Sequence, residues 1–367
     1  MKLFPRGVAK GEAFYDRIEE RKKLKSNIVN GIHTVLIAPR RFGKTSLMTQ
    51  VMYETEVKHV WLDFMMVTDR HEAQAKLFEK IEQLIVEVSP IERKLKELCA
   101  KYFKVLKPEI TISAPGISLK LFPKEILKES IVEALLGLDK FAQELDQNLV
   151  IVFDEFQEIL RFDDDATLQG SIRHAAERSQ KVTYLFSGSR HRPLRKMFNG
   201  KKSPLYALCE QITLNKIPAK DYIDFINKVA KGKWGRVLSP RIIDKILNYS
   251  ERYPKYVNAI CSNVWSSGLE PTPELIDTIW QEYVISIKTD IADVLAELSI
   301  NQRRLLMFLV FNPTKELYSK ETQLQLKIPH ASIQKAISVL LDKDLVFLDQ
   351  EKYQVLDPTL KSYFMMF

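Results

Sequence analysis

The sequence lacks the features that mark secreted, membrane-embedded or disulfide-stabilised proteins. Only three of its 367 residues are cysteines, Cys99, Cys209 and Cys261. They lie far apart, form no CxxC pair and leave one thiol over under any disulfide scheme, which excludes a disulfide framework. No stretch reaches membrane-spanning length, and the first residues contain no apolar signal-peptide core. We therefore expect a cytoplasmic protein with reduced thiols.

Internal repeats and low-complexity tracts are also missing, so the chain is not a solenoid or a linker. Hydrophobic residues make up 46% and charged residues 28%, which excludes a disordered or fibrous protein. The length suits two or three domains. A net charge of +8, from 55 Lys and Arg against 47 Asp and Glu, is compatible with nucleic acid but does not establish it.

The most informative segment is a glycine–lysine–threonine loop between an apolar run and a helical pattern. Residues 34–37 predict a strand, and residues 47–52 predict a helix that starts directly after the loop. Gly43 lets the main chain approach a phosphate, Lys44 reaches its β and γ oxygens, and the Thr45 hydroxyl ligates Mg²⁺. Amide groups at the helix N-terminus also favour an anion. The predicted nucleotide-binding residues are Pro39, Arg40, Arg41, Phe42, Gly43, Lys44, Thr45 and Ser46.

Two features of this loop depart from a plain phosphate-binding consensus. Ala38 stands where the consensus has glycine, and its methyl group is free of strain only if the backbone φ is negative. Arg40 and Arg41 could face the γ-phosphate or acidic groups of a partner, although an exposed basic loop explains them almost as well.

A second motif ends another apolar run in two carboxylates. Residues 149–153 predict a buried parallel strand, and the carboxyl end of such a strand is where ligands bind. Asp154 would hold Mg²⁺, and Glu155 would orient and deprotonate the attacking water. The alternative is the solvated start of a helix. We predict that Lys44 and Glu155 are catalytic and that Thr45 and Asp154 hold the metal.

The remaining pattern divides the chain into three parts. Strands and helices alternate over 1–217, which predicts an α/β core with a parallel sheet, helices on both faces and an inserted hairpin at about 108–123. Residues 218–289 predict a lid of four or so short helices. Residues 290–367 predict three helices and a two-stranded wing, a winged helix-turn-helix domain.

The third helix of the predicted winged domain offers few groups for reading DNA. Gln334 and Lys335 would face a DNA groove. The helix carries few basic residues, however, whereas DNA-binding helices usually make several phosphate contacts. Direct DNA contact and protein packing that regulates the rest of the chain both remain open.

Three segments together resemble the archaeal-type ATPase family, within the AAA+/STAND group of P-loop NTPases. They are Phe14–Arg17, the Pro-Arg-Arg-Phe-Gly-Lys-Thr-Ser-Leu loop, and the Phe-Asp-Glu-Phe-Gln-Glu run at 153–158. The resemblance spans essentially the whole chain. It implies an ASCE-type sheet in which the Asp154 strand lies centrally, beside the neighbour of the P-loop strand. It also implies ATP or ADP with Mg²⁺, because no guanine-recognition motif is visible.

The resemblance also implies roles for residues outside the two motifs. Tyr15, Asp16 and Arg17 would border the adenine, although Asp16 is equally suited to cap the first helix. Ser187 would contact the γ-phosphate or the attacking water, and Arg190 could be an arginine finger; both are predicted to be catalytic. Arg252 stands where the family's lid has the glycine of a Gly-x-Pro turn, so the sequence departs from the family pattern at this point.

The sequence thus predicts a Mg²⁺-dependent ATPase whose nucleotide state controls the lid and winged-helix domains. The alternative is a switch that retains ATP or ADP without turnover and docks DNA or a protein through the winged helix.

Overall fold

The computed structural model describes residues 3–89, 92–103, 106–113, 116–122, 127–188 and 191–367. The chain divides into two compact units. The core unit comprises Arg17–Ala38 and Lys44–Leu214, and the C-terminal unit comprises Met1–Asp16, Pro39–Gly43 and Asn215–Phe367. Most of the predicted phosphate loop, Pro39–Gly43, therefore groups with the C-terminal unit, although the residues on either side of it belong to the core unit.

The main sheet of the core unit is parallel and five-stranded. The strands described in this unit are β1 Thr34–Ile37, β2 Lys58–Asp63, β3 Glu109–Ser113, β4 Gly116–Lys120, β5 Leu149–Asp154, β6 Val182–Gly188 and β7 Glu210–Thr213. The sheet order is β2-β5-β6-β1-β7, with all pairs parallel. In the region of the predicted hairpin, β3 pairs antiparallel with β4.

Burial explains why the inner strands were recognisable in the sequence. Strands β1 and β6 are buried along their whole length, and β5 is buried except at Asp154. The edge strands β2 and β7 are partly exposed. A strand covered on both faces is a continuous apolar run rather than an alternating one. The predicted fold class, an α/β P-loop NTPase with the Asp154 strand in the interior of the sheet, is confirmed.

Helices surround the sheet. Those described in the core unit are α1 Ile18–Val29, α2 Lys44–Thr55, α3 Arg70–Val88, α4 Glu92–Tyr102, α5 Leu127–Glu144, α6 Thr167–Ala176 and α7 His191–Asn199. One apolar cluster joins α3, α5 and α6 to β2, β5 and β6. A 3-10 helix, Phe156–Arg161, follows β5 and adds Phe156 and Ile159 to that cluster. The residues directly after the Asp154 strand are thereby fixed by packing.

A single buried carboxylate fixes the start of β6. Asp139, on α5, is 2% exposed, and its Oδ1 accepts the backbone N–H groups of Gln180, Lys181 and Val182 at 2.9, 2.8 and 2.9 Å. Its Oδ2 accepts from Gln143 Nε2 at 2.5 Å. Hydrogen bonds to a charged acceptor are the stronger kind. Asp139 therefore sets where β6 begins, and β6 leads to Ser187.

The alternative role of Asp16, as the cap of the first helix, is not found in the structure. Helix α1 begins at Ile18, and its N-cap is Arg17, in the left-handed region with φ 57° and no side-chain cap bond. Asp16 therefore lies one residue too early to cap the helix. Acidic Glu19 and Glu20 still occupy the first turn, where they interact favourably with the helix dipole.

The C-terminal unit is mainly helical. Its helices are α8 Ala219–Trp234, α9 Pro240–Ser250, α10 Pro254–Ser267, α11 Pro273–Ser286, α12 Lys288–Ala296, α13 Ile300–Phe311, α14 Lys320–Leu326, α15 His330–Asp342 and α16 Thr359–Met366. Strands β8 Val346–Asp349 and β9 Lys352–Val355 form an antiparallel hairpin. Ser299 caps α13 with a capping box, and Ser319 caps α14.

One apolar cluster holds the last 80 or so residues of this unit together. It joins α13, α14 and α15 to the hairpin through Leu305, Leu326, Ile333, Ile337 and Val346. Three helices followed by a hairpin is the order that the sequence predicts, and α16, which the sequence does not predict, adds Leu360 to the cluster. Of the helices in the described ranges, none is both long enough and apolar enough to cross a bilayer.

Candidate functional site

The core unit places a buried lysine at the start of a helix. Lys44 is the first residue of α2 and is 7% exposed. Its Nζ donates to the carbonyl oxygen of Ala38 at 3.2 Å. Thr45 is exposed and Ser46 half-buried in the same helical turn. A helix N-terminus that also carries an ammonium group is a strong site for an anion.

The loop backbone accommodates the alanine that departs from the consensus. The positive-φ residues of the loop are Arg41, at 69°, and Gly43, at 86°. Ala38 is fully buried and is not among them. The methyl group of Ala38 therefore adds no backbone strain, whereas Gly43 stands where glycine is needed.

Asp154 is a half-buried carboxylate at the carboxyl end of β5. Its Oδ1 accepts hydrogen bonds from the Ser187 hydroxyl and from the backbone N–H of Glu155, the latter at 3.0 Å. Burial raises the pKa of Asp154, and the Ser187 hydrogen bond and the charge of Lys44 only partly oppose this. The carboxylate therefore carries negative charge that its surroundings do not fully compensate.

Glu155 occupies a strained backbone position directly after Asp154. Its φ and ψ are 48° and 41°, the left-handed region that a non-glycine residue seldom adopts. Its side chain is hydrogen-bonded: Gln157 Nε2 donates to Glu155 Oε2 at 2.6 Å. Strain of this kind persists only where neighbouring structure holds it, and it is common at functional sites.

Ser187 lies close to the predicted metal ligand. It is fully buried near the end of β6, the strand between β5 and β1. Its hydroxyl donates to Asp154. The structure therefore brings Asp154 and Ser187 into direct contact, with the charge of Lys44 acting on Asp154. The predicted finger, Arg190, lies outside the described residues.

The side chains of the loop segment Pro39–Gly43 have partners in the C-terminal unit. Arg41 Nη1 lies 2.5 Å from both Asp357 Oδ2 and Tyr256 Oη. Arg40 Nε lies 3.3 Å from Asp344 Oδ2. In this structure both arginines are paired with groups of the same unit.

Phe42 is the apolar anchor of the same segment. It is 4% exposed and makes edge-to-face contacts with Tyr253, at 5.2 Å between ring centroids, and with Phe347, at 6.2 Å. Tyr253 precedes α10 and Phe347 lies in β8. One phenylalanine of the phosphate loop thus contacts both the helical region and the hairpin of the tail.

The predicted adenine segment divides between the two units. Tyr15 stacks on Phe225 of α8 with 3.6 Å between ring centroids and 9° between the planes, and burial raises its pKa well above the usual value. Asp16 is buried. Arg17, in the core unit, is 4% exposed and lies 3.2 Å from Glu20. The Tyr15 ring is held by packing within the C-terminal unit.

The turn before α10 has the backbone conformation of a glycine turn, although neither Glu251 nor Arg252 is a glycine. Glu251 and Arg252 have φ values of 44° and 62°. The carbonyl oxygen of Arg252 accepts from Tyr222 Oη at 3.0 Å. Arg252 thus has a conformation that glycine would adopt without strain.

The predicted partner residues lie on the outer face of α15. Gln334 and Lys335 are exposed, whereas Ile333 and Ile337 are buried in the tail cluster.

Sequence reasoning missed two groups near the predicted site. Gln157, two residues beyond Glu155, was readable as part of the motif, whereas Asp357 is 316 residues from Arg41 and gives no local signal.

Comparison with known proteins gives matches among solved structures alone: no protein-family model and no curated protein sequence matches the chain. A Walker-type ATPase of Pyrococcus abyssi is 17% identical, with a TM-score of 0.71 and 99% of each chain covered. The ORC2 protein of Aeropyrum pernix in its ADPNP–ADP complexes is 12% identical, with a TM-score of 0.57 and coverage of 99% of this chain and 96% of that chain.

The chain has a P-loop NTPase fold. The ADP form of the same Aeropyrum protein is 12% identical, with a TM-score of 0.53 and coverage of 99% and 95%. The full-length coverage extends the likeness beyond the sheet to the helical C-terminal region. The resemblance to archaeal-type AAA+ ATPases is confirmed at the level of the fold, which is what a likeness at these identities shows.

Proposed function

We propose that this chain binds magnesium–ATP and hydrolyses it. The observation that carries the proposal is Asp154, a half-buried carboxylate at the carboxyl end of an inner parallel strand, which accepts a hydrogen bond from Ser187 on the next strand of the sheet. Burial raises its pKa, and the Ser187 hydrogen bond and the charge of Lys44 only partly oppose this. The carboxyl ends of such strands are where P-loop folds bind ligands. Partial burial makes the charged form of a carboxylate less favourable, and a bound cation would offset this.

The donor set suits magnesium. Asp154 would supply a carboxylate oxygen and Thr45, in the first turn of α2, a hydroxyl oxygen, and Mg²⁺ prefers such hard oxygen ligands. Bound magnesium would neutralise charge on the phosphate oxygens. Lys44 and the backbone N–H groups around Pro39–Ser46 would hold the β- and γ-phosphates. Glu155 would take the proton of the attacking water.

The contacts of the loop support a link between nucleotide and the C-terminal unit. Arg40, Arg41 and Phe42 contact the turn before α10, helix α10 itself and the tail. A ligand that moves this loop would change those contacts. We propose that nucleotide state controls the lid and winged-helix regions through Pro39–Gly43.

Calorimetry and phosphate release test the proposal. We expect Lys44→Ala to weaken magnesium–ATP binding and Glu155→Gln to retain binding while phosphate release falls by about 100-fold or more, in the range for loss of a general base. Lys22 and Glu19 are exposed on α1, so Lys22→Ala and Glu19→Gln serve as matched charge controls that should change neither quantity. No uptake of adenine nucleotide by the folded wild type would overturn the proposal.

The second candidate is a switch that keeps its nucleotide. It is the better description if wild type and Glu155→Gln bind ATP equally and release phosphate equally slowly. The exposed Gln334 and Lys335 on α15 are its candidate docking residues. A salt titration of duplex DNA binding with wild type and Lys335→Glu tests the DNA version, because phosphate contacts give a salt-dependent affinity. A salt-independent signal would favour a protein partner.

A further inference from the structure

Gln157 lies in the centre of the carboxylate cluster that follows β5. It is 3% exposed, within the 3-10 helix Phe156–Arg161. Its Nε2 donates to Glu155 Oε2 at 2.6 Å and to Glu158 Oε1 at 3.3 Å. Two carboxylates on one side require the NH₂ end of the amide there, which fixes its orientation. The shorter bond is the one to the predicted general base.

Glu158 does not compete strongly for this amide. It is 4% exposed, and its Oε2 lies 3.7 Å from Arg161 Nη1, so a cation shares its charge. The 3.3 Å bond from Gln157 is also at the long end of the normal range. The amide of Gln157 is therefore directed mainly at Glu155.

Space for this amide comes from a glycine on the neighbouring strand. Gly188 ends β6 directly after Ser187, and a Cβ placed on it would lie 2.0 Å from Gln157 Oε1. Its φ is not positive, so alanine is acceptable to the backbone and the conflict concerns space alone. Gly188 therefore matters because the Gln157 side chain occupies the place of a methyl group.

We propose that Gln157 is a positioning residue that holds the Glu155 carboxylate in its hydrolytic orientation and that Gly188 makes this possible. The inference rests on the proposed ATPase function. Glu155 has a left-handed backbone conformation, which persists only where the surrounding structure holds it. The hydrogen bond from Gln157 Nε2 fixes the direction of its carboxylate. The Gln157 amide thus donates to Glu155 through Nε2, while its Oε1, which has no hydrogen-bond partner among the described residues, lies against Gly188 at the end of β6.

Kinetics of Gln157→Leu, which keeps the volume and removes the amide, test this role. We expect kcat to fall by about 10- to 100-fold, the range that corresponds to loss of one hydrogen bond to a charged group. The affinity for magnesium–ATP should stay within about twofold, because Gln157 contacts neither Lys44 nor Asp154 among the described residues. Gln147 is exposed, so Gln147→Leu is the matched control.

Two double variants separate positioning from general destabilisation. In a Glu155→Gln background, Gln157→Leu should cause no further loss of rate, since the group that it positions is gone. Gly188→Ala should lower kcat as Gln157→Leu does. Its added effect should be much smaller in Gln157→Ala, where the 2.0 Å conflict with the amide is gone and the nearest remaining neighbour of the new methyl group is Leu194 Cδ2 at 3.1 Å. If Gln157→Leu fails to fold, Gly188→Ala still tests the contact from the other strand.

The results separate a failure of the proposed ATPase function from a failure of the positioning role of Gln157. Absence of ATP turnover in the wild type overturns the proposed function and this inference with it. Wild-type turnover together with an unchanged kcat in Gln157→Leu or in folded Gly188→Ala overturns the inference alone. Additive losses in the Glu155→Gln background do the same, because they show that Gln157 acts without Glu155.

Discussion

Asp357→Asn tests the ion pair that Arg41, in the predicted phosphate loop, forms within the C-terminal unit. Asp357 Oδ2 accepts from Arg41, while Oδ1 accepts from Tyr256 Oη at 2.7 Å and from the Thr359 hydroxyl at 2.6 Å. Asparagine retains one oxygen for Tyr256 and Thr359. Its NH₂ group then faces the Arg41 guanidinium, which cannot accept a hydrogen bond.

The exposure of the two side chains sets the expected cost. Breaking a fully buried pair costs about 3–5 kcal/mol, and an exposed pair is worth about 0–1 kcal/mol. The side chains of Arg41 and Asp357 are 33% and 21% exposed, which places this pair between those limits. We expect a loss of about 2 kcal/mol, which corresponds to a roughly 30-fold change in an equilibrium constant.

Native-state hydrogen exchange measures this loss where it occurs. Amides of α16 and of the first turn of α10 should exchange about 30-fold faster in Asp357→Asn, because their protection reports local opening. Arg236 and Glu270 form an exposed pair in the same unit, so Glu270→Gln is the control and should change exchange by less than about twofold. A double-mutant cycle with Arg41→Met should give a coupling of about 2 kcal/mol; a coupling below about 0.5 kcal/mol would refute the reasoning.

The pair should also depend on pH. Burial alone raises the pKa of Asp357, but the charge of Arg41 and hydrogen bonds from Thr359 and Tyr256 outweigh it, so the pKa is lowered. A lowered folded-state pKa gives stability that is present above the unfolded value, near 3.9, and is lost as pH falls through the folded value. The difference in stability between wild type and Asp357→Asn should therefore narrow below about pH 4.

Three further predictions concern other parts of the chain. Asp139→Ala leaves three backbone donors without their acceptor and should cost about 4 kcal/mol of unfolding free energy; a loss below about 1.5 kcal/mol in denaturant titration would contradict it. Burial lowers the pKa of His33, whose Nδ1 accepts from Tyr184 N. As the pH falls, His33 is therefore protonated at a higher pH in the unfolded chain than in the folded protein, and stability should fall below about pH 6.5. Scanning calorimetry should show a less steep fall in His33→Gln. A methyl group on residue 43 would meet no atom closer than 3.9 Å, but the φ of Gly43 is 86°. Gly43→Ala should therefore cost about 1–2 kcal/mol of unfolding free energy through backbone strain. Calorimetry should also show weaker magnesium–ATP binding in Gly43→Ala and unchanged binding in the control Gly232→Ala.

Continuous apolar runs explain how much of the fold was predictable. Residues 34–37 and 149–153 occupy inner strands that are covered on both faces, and such strands show their nature in composition alone. The cap of α14 was also predictable, because it depends on nearby residues alone: the Ser319 hydroxyl accepts a hydrogen bond from the backbone N–H of Thr322, three residues on. The order of the three tail helices and the hairpin followed from turn residues and apolar spacing.

Long-range pairing explains what the sequence could not show. Nothing near Arg41 indicates that Asp357 is its partner, and nothing near Phe42 indicates Phe347. The start of the first helix was not readable for a different reason. Asp16 is a favourable cap residue, but the N-cap is Arg17, in a left-handed conformation that non-glycine residues seldom adopt. The roles of the candidate site residues remain predictions.

The placement of β6 determines how wide the gap at the top of the sheet is. Because β6 runs between β1 and β5, the ends of those two strands are two interstrand spacings apart, about 10 Å. Had β1 and β5 been adjacent, an ammonium group following one and a carboxylate ending the other would be about half as far apart and would neutralise each other as an ion pair. The intervening strand therefore prevents a direct ion pair at the strand ends and leaves a gap of about two strand spacings between them.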